Sequence, residues 1–420
     1  MVDFHQEGTI ATLHGLHALC DGEEYLRYID QKLEAYSRDV KIALLLPCLY
    51  TELKQPDVLG RIMDEISRVK YIHSVVVAFG GTPDESIFHE ARDYFRRLEV
   101  NGCKVTVVWV DGPRVRRVFE EMSSRNIRIG ERGKGQSVWI SLGYIFARGE
   151  CRVIALHDCD ILTYSRVMLA RIIEPVANAN SDFQFCKGYY PRVSTTERAL
   201  KGRVTRLFVS PFCDAMARIM GNSGFSDLER FFNYHGAFKY PLAGEFSFTS
   251  RLARSLDFAY DWGLEVATLS EVYKRTNLRK ISQVALADNY DHKHQNLSPE
   301  DPEKGLHKMV VDISKFYFNY MRSHGVPIDN PFVDMICHSY YENAKRFIKI
   351  YSDDADINAL RYDRHEEELS ARYFRNFIAT GWEQCRESLD NAMLPSWNRI
   401  LYSVPDLYEQ LLMAVEEDNR

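Results

Sequence analysis

Two aspartates separated by one residue, Asp158 and Asp160, stand just beyond the apolar run Val153–Leu156 in the stretch CRVIALHDCDIL. In an extended backbone, residues i and i+2 point to the same side, so both carboxylates can reach one cation. Hard oxygen ligands of this kind suit Mg²⁺ or Mn²⁺ held jointly with phosphate oxygens. The same residues also read as an ordinary polar loop with one aspartate capping the next helix. Groups of matching chemistry lie on either side. Gly133-Lys134-Gly135 precedes a helical pattern; glycines let a backbone approach a ligand closely, and the lysine is a point charge near a helix N-terminus. Between positions 187 and 206 the chain carries Lys187, Arg192, Arg198, Lys201, Arg203 and Arg206 against a single acidic residue, Glu197. The backbone of Gly202, the fork of Arg203 and the hydroxyl of Thr205 together suit a phosphate or carboxylate, whereas Arg198 and Lys201 read as solvated. Glu245 follows a proline turn in KYPLAGEFSFT, and Glu265 opens a helix in WGLEVATLS, where a carboxylate also simply favours the helix dipole. His292 and His294, two apart after the last apolar strand, can both meet a metal, but two histidines do not by themselves make a zinc site.

The elements that must position these groups are legible as strand-helix alternation. KIALLLPCLYTE, HSVVVAF, KVTVVWV and CRVIALHD read as short buried strands, the first ending at Pro47. DVLGRIMDEISRVK and DESIFHEARDYFRRLE between them carry helical periodicity. Apolar strands alternating with helices predict a mostly parallel sheet covered on both faces, with ligands beyond the strand C-termini. A further helix is expected from about Ser165 to Ala177, then strands in FQFCKGYYP and KISQVALAD. Residues 1–39 read as a mainly helical lead-in, 40–300 as the catalytic domain, and 301–420 as an aromatic-rich helical region without strands, packing on the catalytic body or on a second subunit of a homodimer. A P-loop is excluded because Gln136 follows Gly135, and no GxGxxG follows the first strand.

Composition narrows the class. The chain has 420 residues, 45% hydrophobic, with a formal net charge of −6, which gives no reason to expect nucleic-acid binding. No run approaches the roughly 18 apolar residues of a membrane span. The first residues, MVDFHQEGTIATLHG, lack a signal-peptide pattern. Nine cysteines without paired spacing fit reduced thiols in a cytoplasmic protein.

Taken in order, GKG at 133–135, DCD at 158–160, GRVT at 202–205, PLAGE at 241–245, WGLE at 262–265 and HKHQN at 292–296 resemble the motifs of retaining GT-A glycosyltransferases. The resemblance covers about residues 40–300 and is specifically to glucosyl-3-phosphoglycerate synthases and, more distantly, mannosylglycerate synthases. It implies a GT-A fold, a divalent cation (Mg²⁺ or Mn²⁺) and transfer of a hexose, with glucose expected, from a UDP-, GDP- or ADP-sugar to 3-phosphoglycerate. Free glycerate is the rival acceptor; a nucleotidyltransferase would share the sheet but need a glycine-rich loop after the first strand, which PCLYTEL is not. By carry-over, Asp158, Asp160 and His294 would hold the metal, with His292 competing for the last place. Pro47, Glu52, Gly133, Lys134, Asp158, Leu242, Ala243 and Gly244 would contact the nucleotide sugar. Gly202, Arg203 and Thr205 would hold the acceptor phosphate, and Asp160, Lys134, Glu245 and Glu265 would serve the chemistry. One departure is that Ala78-Phe79-Gly80-Gly81 stands where many of these enzymes carry an acidic base-reading residue.

Overall fold

The structure, a computed structural model, describes residue 6 and residues 8–20, 22–292, 304–387 and 392–420. Eight strands form one sheet: β1 (Ala11–Leu13), β2 (Ile42–Leu49), β3 (Ser74–Gly80), β4 (Lys104–Trp109), β5 (Val153–Leu156), β6 (Phe185–Tyr189), β7 (Phe246–Thr249) and β8 (Ile281–Ala285), in the order β1-β8-β6-β7-β5-β2-β3-β4. All neighbours are parallel except β7, which runs antiparallel to both β5 and β6. The near-continuous apolar strands follow from this arrangement, since both faces of the sheet are covered. Helices Gly22–Ser37, Pro56–Ser67, Glu85–Phe95 and Arg166–Ala177 pack on one face, and Pro113–Ser124, Lys134–Arg148 and Leu407–Asp418 on the other. A third apolar cluster joins Ser210–Asn222 and Ser226–Ala237 to the long helices Gly305–Ser323, Asn330–Ile357 and Arg364–Glu387. No helix among the described residues is long and apolar enough to cross a membrane.

Three sequence expectations change here. The first long strand does not end at Pro47 but runs on to Leu49. Leu45 turns its carbonyl to His157 N at 3.2 Å, toward β5, and Pro47 shares that orientation. The β2–β5 ladder ends at Leu45–Leu156, so the missing proline N–H sacrifices no ladder bond. Secondly, residues 1–39 are not only helical: Ala11–Leu13 adds a parallel edge strand beside β8. Thirdly, a short strand does occur late in the chain, where Met393–Leu394 pairs antiparallel with Phe258–Ala259. The chain after it returns to the sheet. The indole N–H groups of Trp139 and Trp397 donate to Pro395 O and Trp139 O, each at 2.9 Å. Asn419 then bonds both Val107 N (3.0 Å) and Val107 O (2.8 Å), closing part of the exposed edge of β4. Packing therefore crosses the boundary between residues 40–300 and 301–420 that sequence texture suggests.

Candidate active site

The sheet ends in a cleft of ≈ 840 Å³ above the C-termini of β2 and β5. Asp158 and Asp160 enter it directly from β5, and both carboxylates line it. They have different partners. Lys134, the first residue of the helix Lys134–Arg148, reaches across with Nζ 2.7 Å from Asp158 Oδ1 and 3.3 Å from Glu265 Oε1. Burial alone would lower the lysine's pKa, but the two carboxylates outweigh it and hold the ammonium above its ordinary range. Gly244 lies against Asp158, and a Cβ there would overlap the carboxylate.

Asp160 instead faces His292, with Oδ2 3.6 Å from Nδ1. Backbone geometry makes the pair: Ile161 and His292 form an isolated antiparallel bridge, and Leu162 N donates to Asp291 O at 2.8 Å. Arg192 Nη2 also lies 3.3 Å from His292 Nδ1. Burial would raise the Asp160 pKa, but His292, Lys134 and Arg192 together hold it below the usual range. His294, the other expected ligand, lies outside the described residues. A carboxylate oxygen beside an imidazole nitrogen, open to a cleft, is a donor set that fits a divalent cation such as Mn²⁺.

The other expected residues divide. Pro47, Glu52, Gly133, Leu242, Gly244 and Glu265 line the cleft. Glu245 does not. Its carboxylate is fully buried, accepting hydroxyl bonds from Tyr190 (2.8 Å) and Tyr290 (2.7 Å), whose rings stack at 3.7 Å. Burial, followed by repulsion from Asp158, raises its pKa above the ordinary value. A group so enclosed stands behind the loop carrying Gly244 rather than on the cleft surface, where a catalytic carboxylate was expected. Ala243 is likewise buried, its carbonyl taken by Lys187 Nζ at 2.6 Å. Lys187, counted in the basic segment, is wholly enclosed, and burial lowers its pKa to about 8.

The GRVT segment also borders the cleft. Gly202 has φ +73°, and a Cβ there would come 2.8 Å from the Tyr240 hydroxyl, so only glycine fits. Thr205 lies in a π-helical turn, Val204–Val209, of the kind common at functional sites. Arg203 is present at the cleft but is not an unopposed cation. Its guanidinium pairs with Glu366 (2.6 Å) and Glu367 (3.0 Å), while buried Arg206 pairs with Glu367 (2.8 Å). Lys201 pairs with Glu197 at 2.7 Å. Local sequence counted one carboxylate near this basic stretch; the first turn of Arg364–Glu387 supplies two more. Sequence reasoning gave no role in the cleft to Arg192, counted only within the basic segment, or to Trp262, quoted only within WGLE, and passed over Tyr240; all three line it.

Glu52 carries a testable consequence of burial. Its Oε2 accepts the Leu49 N–H at 2.7 Å, yet burial, with Asp160 and Asp158 nearby, pushes its pKa up from 4.5 to about 7. Between those values the folded chain binds more protons than the unfolded one, so stability falls as pH rises through that window. Glu52→Gln keeps an oxygen for Leu49 and removes the charge. In chelator-treated protein, its stability relative to the parent should rise between pH 5 and pH 8, read by denaturant unfolding at both; a constant difference would contradict the burial argument.

No family model matches the chain. A glucosyl-3-phosphoglycerate synthase of Persephonella marina is 36% identical over 420 residues, covering 100% of this chain and 99% of the relative. One of Methanococcoides burtonii is 36% identical over 422 residues, covering 99% and 98%. Among solved structures, glucosyl-3-phosphoglycerate synthase from Mycobacterium tuberculosis in complex with Mn²⁺, UDP and phosphoglyceric acid aligns with TM-score 0.50 and 21% identity, over 76% of this chain and 88% of that one. At that identity the likeness concerns the fold. The full-length relatives decide the rest: with 36% of residues shared along essentially the whole of both chains, this protein belongs to the glucosyl-3-phosphoglycerate synthase family.

Proposed function

We propose that the protein transfers glucose, with retention at the anomeric carbon, from a nucleotide-diphosphate glucose to the hydroxyl of 3-phosphoglycerate. The observation that carries this reading is one cleft lined by the Asp160–His292 pair, Lys134 and the GRVT segment together. Two anions can thus meet in it. Asp160 and His292 would hold a divalent cation, which when bound supplies Lewis-acid stabilisation of the departing diphosphate. Lys134 keeps a permanent positive charge at the same place, because Asp158 and Glu265 hold it protonated. The same two carboxylates are engaged by that ammonium, so we assign neither as a covalent nucleophile. Attack on the face vacated by the leaving group, assisted by the departing phosphate, is our reading of retention. Gly202, Arg203 and Thr205 orient the acceptor. We place the protein in the cytoplasm, as its nine cysteines are all free thiols.

One observation favours a second acceptor. Glu366 and Glu367 already neutralise Arg203, which weakens the claim of a doubly charged phosphate there and favours free glycerate. The deciding experiment supplies UDP-, GDP- and ADP-glucose in turn with Mg²⁺ or Mn²⁺ and each acceptor, and identifies products by mass spectrometry. Glucosyl-3-phosphoglycerate from at least one donor is the expected result. Product only with glycerate would establish the second reading, and no product from either acceptor would refute both.

A further inference from the structure

Two thiols on the donor side of the cleft stand together because of strand register. β2 and β5 pair Ile42 with Val153 and Leu45 with Leu156, and the same offset carried three residues further sets Cys48 level with Cys159. Residues at one level of a parallel pair lie about 4.8 Å apart with side chains on the same face. Glu52, on the short helix Tyr50–Leu53 that follows β2, folds back over this position to reach Leu49 N. Ligand atoms of all three, two sulfurs and one carboxylate oxygen, lie within 4.8 Å of one another. Cys48 and Cys159 are only 3% and 2% exposed, yet both border the cleft, as does Glu52. Both thiols are unbridged.

We propose that Cys48, Glu52 and Cys159 form a site for a thiophilic divalent cation of the Zn²⁺ type, separate from the Asp160–His292 pair. Sulfur ligands select borderline and soft ions, whereas Mg²⁺ takes oxygen donors in octahedral geometry. A tetrahedral ion with metal–sulfur bonds of about 2.3 Å sets its sulfurs about 3.8 Å apart. The three groups therefore need to close by about 1 Å at most, which rotation of two cysteine side chains and the Glu52 chain can supply. Three protein ligands leave the fourth position to water from the cleft. On binding, the thiol protons pass to solvent and Glu52 exchanges the Leu49 N–H for the ion. Two cation sites of different softness then share one cleft, with Cys159 next in the chain to Asp160 of the harder one.

Cobalt is the probe that separates them. Full-length reduced protein, kept in saturating Mg²⁺ to occupy the oxygen site, is titrated with Co²⁺. The expected result is a sulfur-to-cobalt charge-transfer band in the near ultraviolet that saturates at one ion per chain and is bleached by Zn²⁺. Cys48→Ser and Cys159→Ser each lose the band, Cys103→Ser keeps it, and Glu52→Gln weakens binding by about tenfold or more. Circular dichroism establishes that each variant is folded; should Cys159→Ser fail to fold, Cys48→Ser decides alone. Absence of the band in the parent protein, or its survival in folded Cys48→Ser, overturns the proposal.

Discussion

Asp160→Ala is expected to lower divalent-dependent glucosyl transfer by about 10²–10³-fold, the range lost when one group aimed at developing negative charge is removed. The argument rests on position. Asp160 stands beyond the end of β5, the backbone bridge at Ile161–His292 brings an imidazole to it, and the two present oxygen and nitrogen donors to the cleft. Asp158, whose carboxylate is paired with Lys134 at 2.7 Å, is expected to compensate only in part. The loss should appear in kcat at saturating Mg²⁺ or Mn²⁺, and donor binding measured by calorimetry should no longer respond to the metal. Retained metal-dependent turnover would remove Asp160 from the ligand set. His292→Ala and His294→Ala, assayed in parallel, divide the remaining role; His292, 3.6 Å from Asp160, is expected to show a loss of its own.

Lys134→Ala is expected to be comparably severe, about 10²-fold in kcat/KM for the donor. The lysine does two things at once. It places a cation where a diphosphate would sit, and it compensates Asp158 and Glu265, behind which lies the enclosed carboxylate of Glu245. Without it, those carboxylates face an incoming diphosphate with no local counter-charge. The acceptor KM should move far less, since Gly202, Arg203 and Thr205 are untouched. Lys134→Arg should restore only part of the rate, because a planar guanidinium cannot copy the point contact of an ammonium. A variant whose donor and acceptor parameters fall equally would show that Lys134 serves folding of the cleft rather than the donor. Because its carboxylate partners hold Lys134 above its ordinary range, no rate change between pH 6 and 9 should trace to its titration.

The buried Arg203–Glu367–Arg206 arrangement bears on both experiments. It fastens the GRVT segment to the helix Arg364–Glu387, so this part of the cleft belongs jointly to the sheet domain and the late helices. An acceptor held as proposed would meet Arg203 in competition with Glu366, which also borders the cleft.

What the amino-acid sequence determined by itself was everything that depends on neighbours along the chain. Short apolar runs made β2 to β6 and β8 identifiable, and Ser165 capped the helix Arg166–Ala177 where expected. Asp158 and Asp160 were legible because a strand that ends in two carboxylates must present them at the sheet edge. Gly202 was read for its backbone N–H, and its left-handed φ of +73° came from the structure. The tertiary structure alone decided what depends on distant partners. Three-residue β1 is too short to signal a strand, and its existence rests on the free edge of β8. Glu366 and Glu367 lie some 160 positions after Arg203, so no local charge count could include them. Glu245 looked like a cleft residue until the tyrosines at 190 and 290 closed over it. The meeting of Cys48 with Cys159, and of Asp160 with His292, is a matter of strand register and one backbone bridge. Register and long-range pairing are properties of the folded sheet, and no window of sequence contains them.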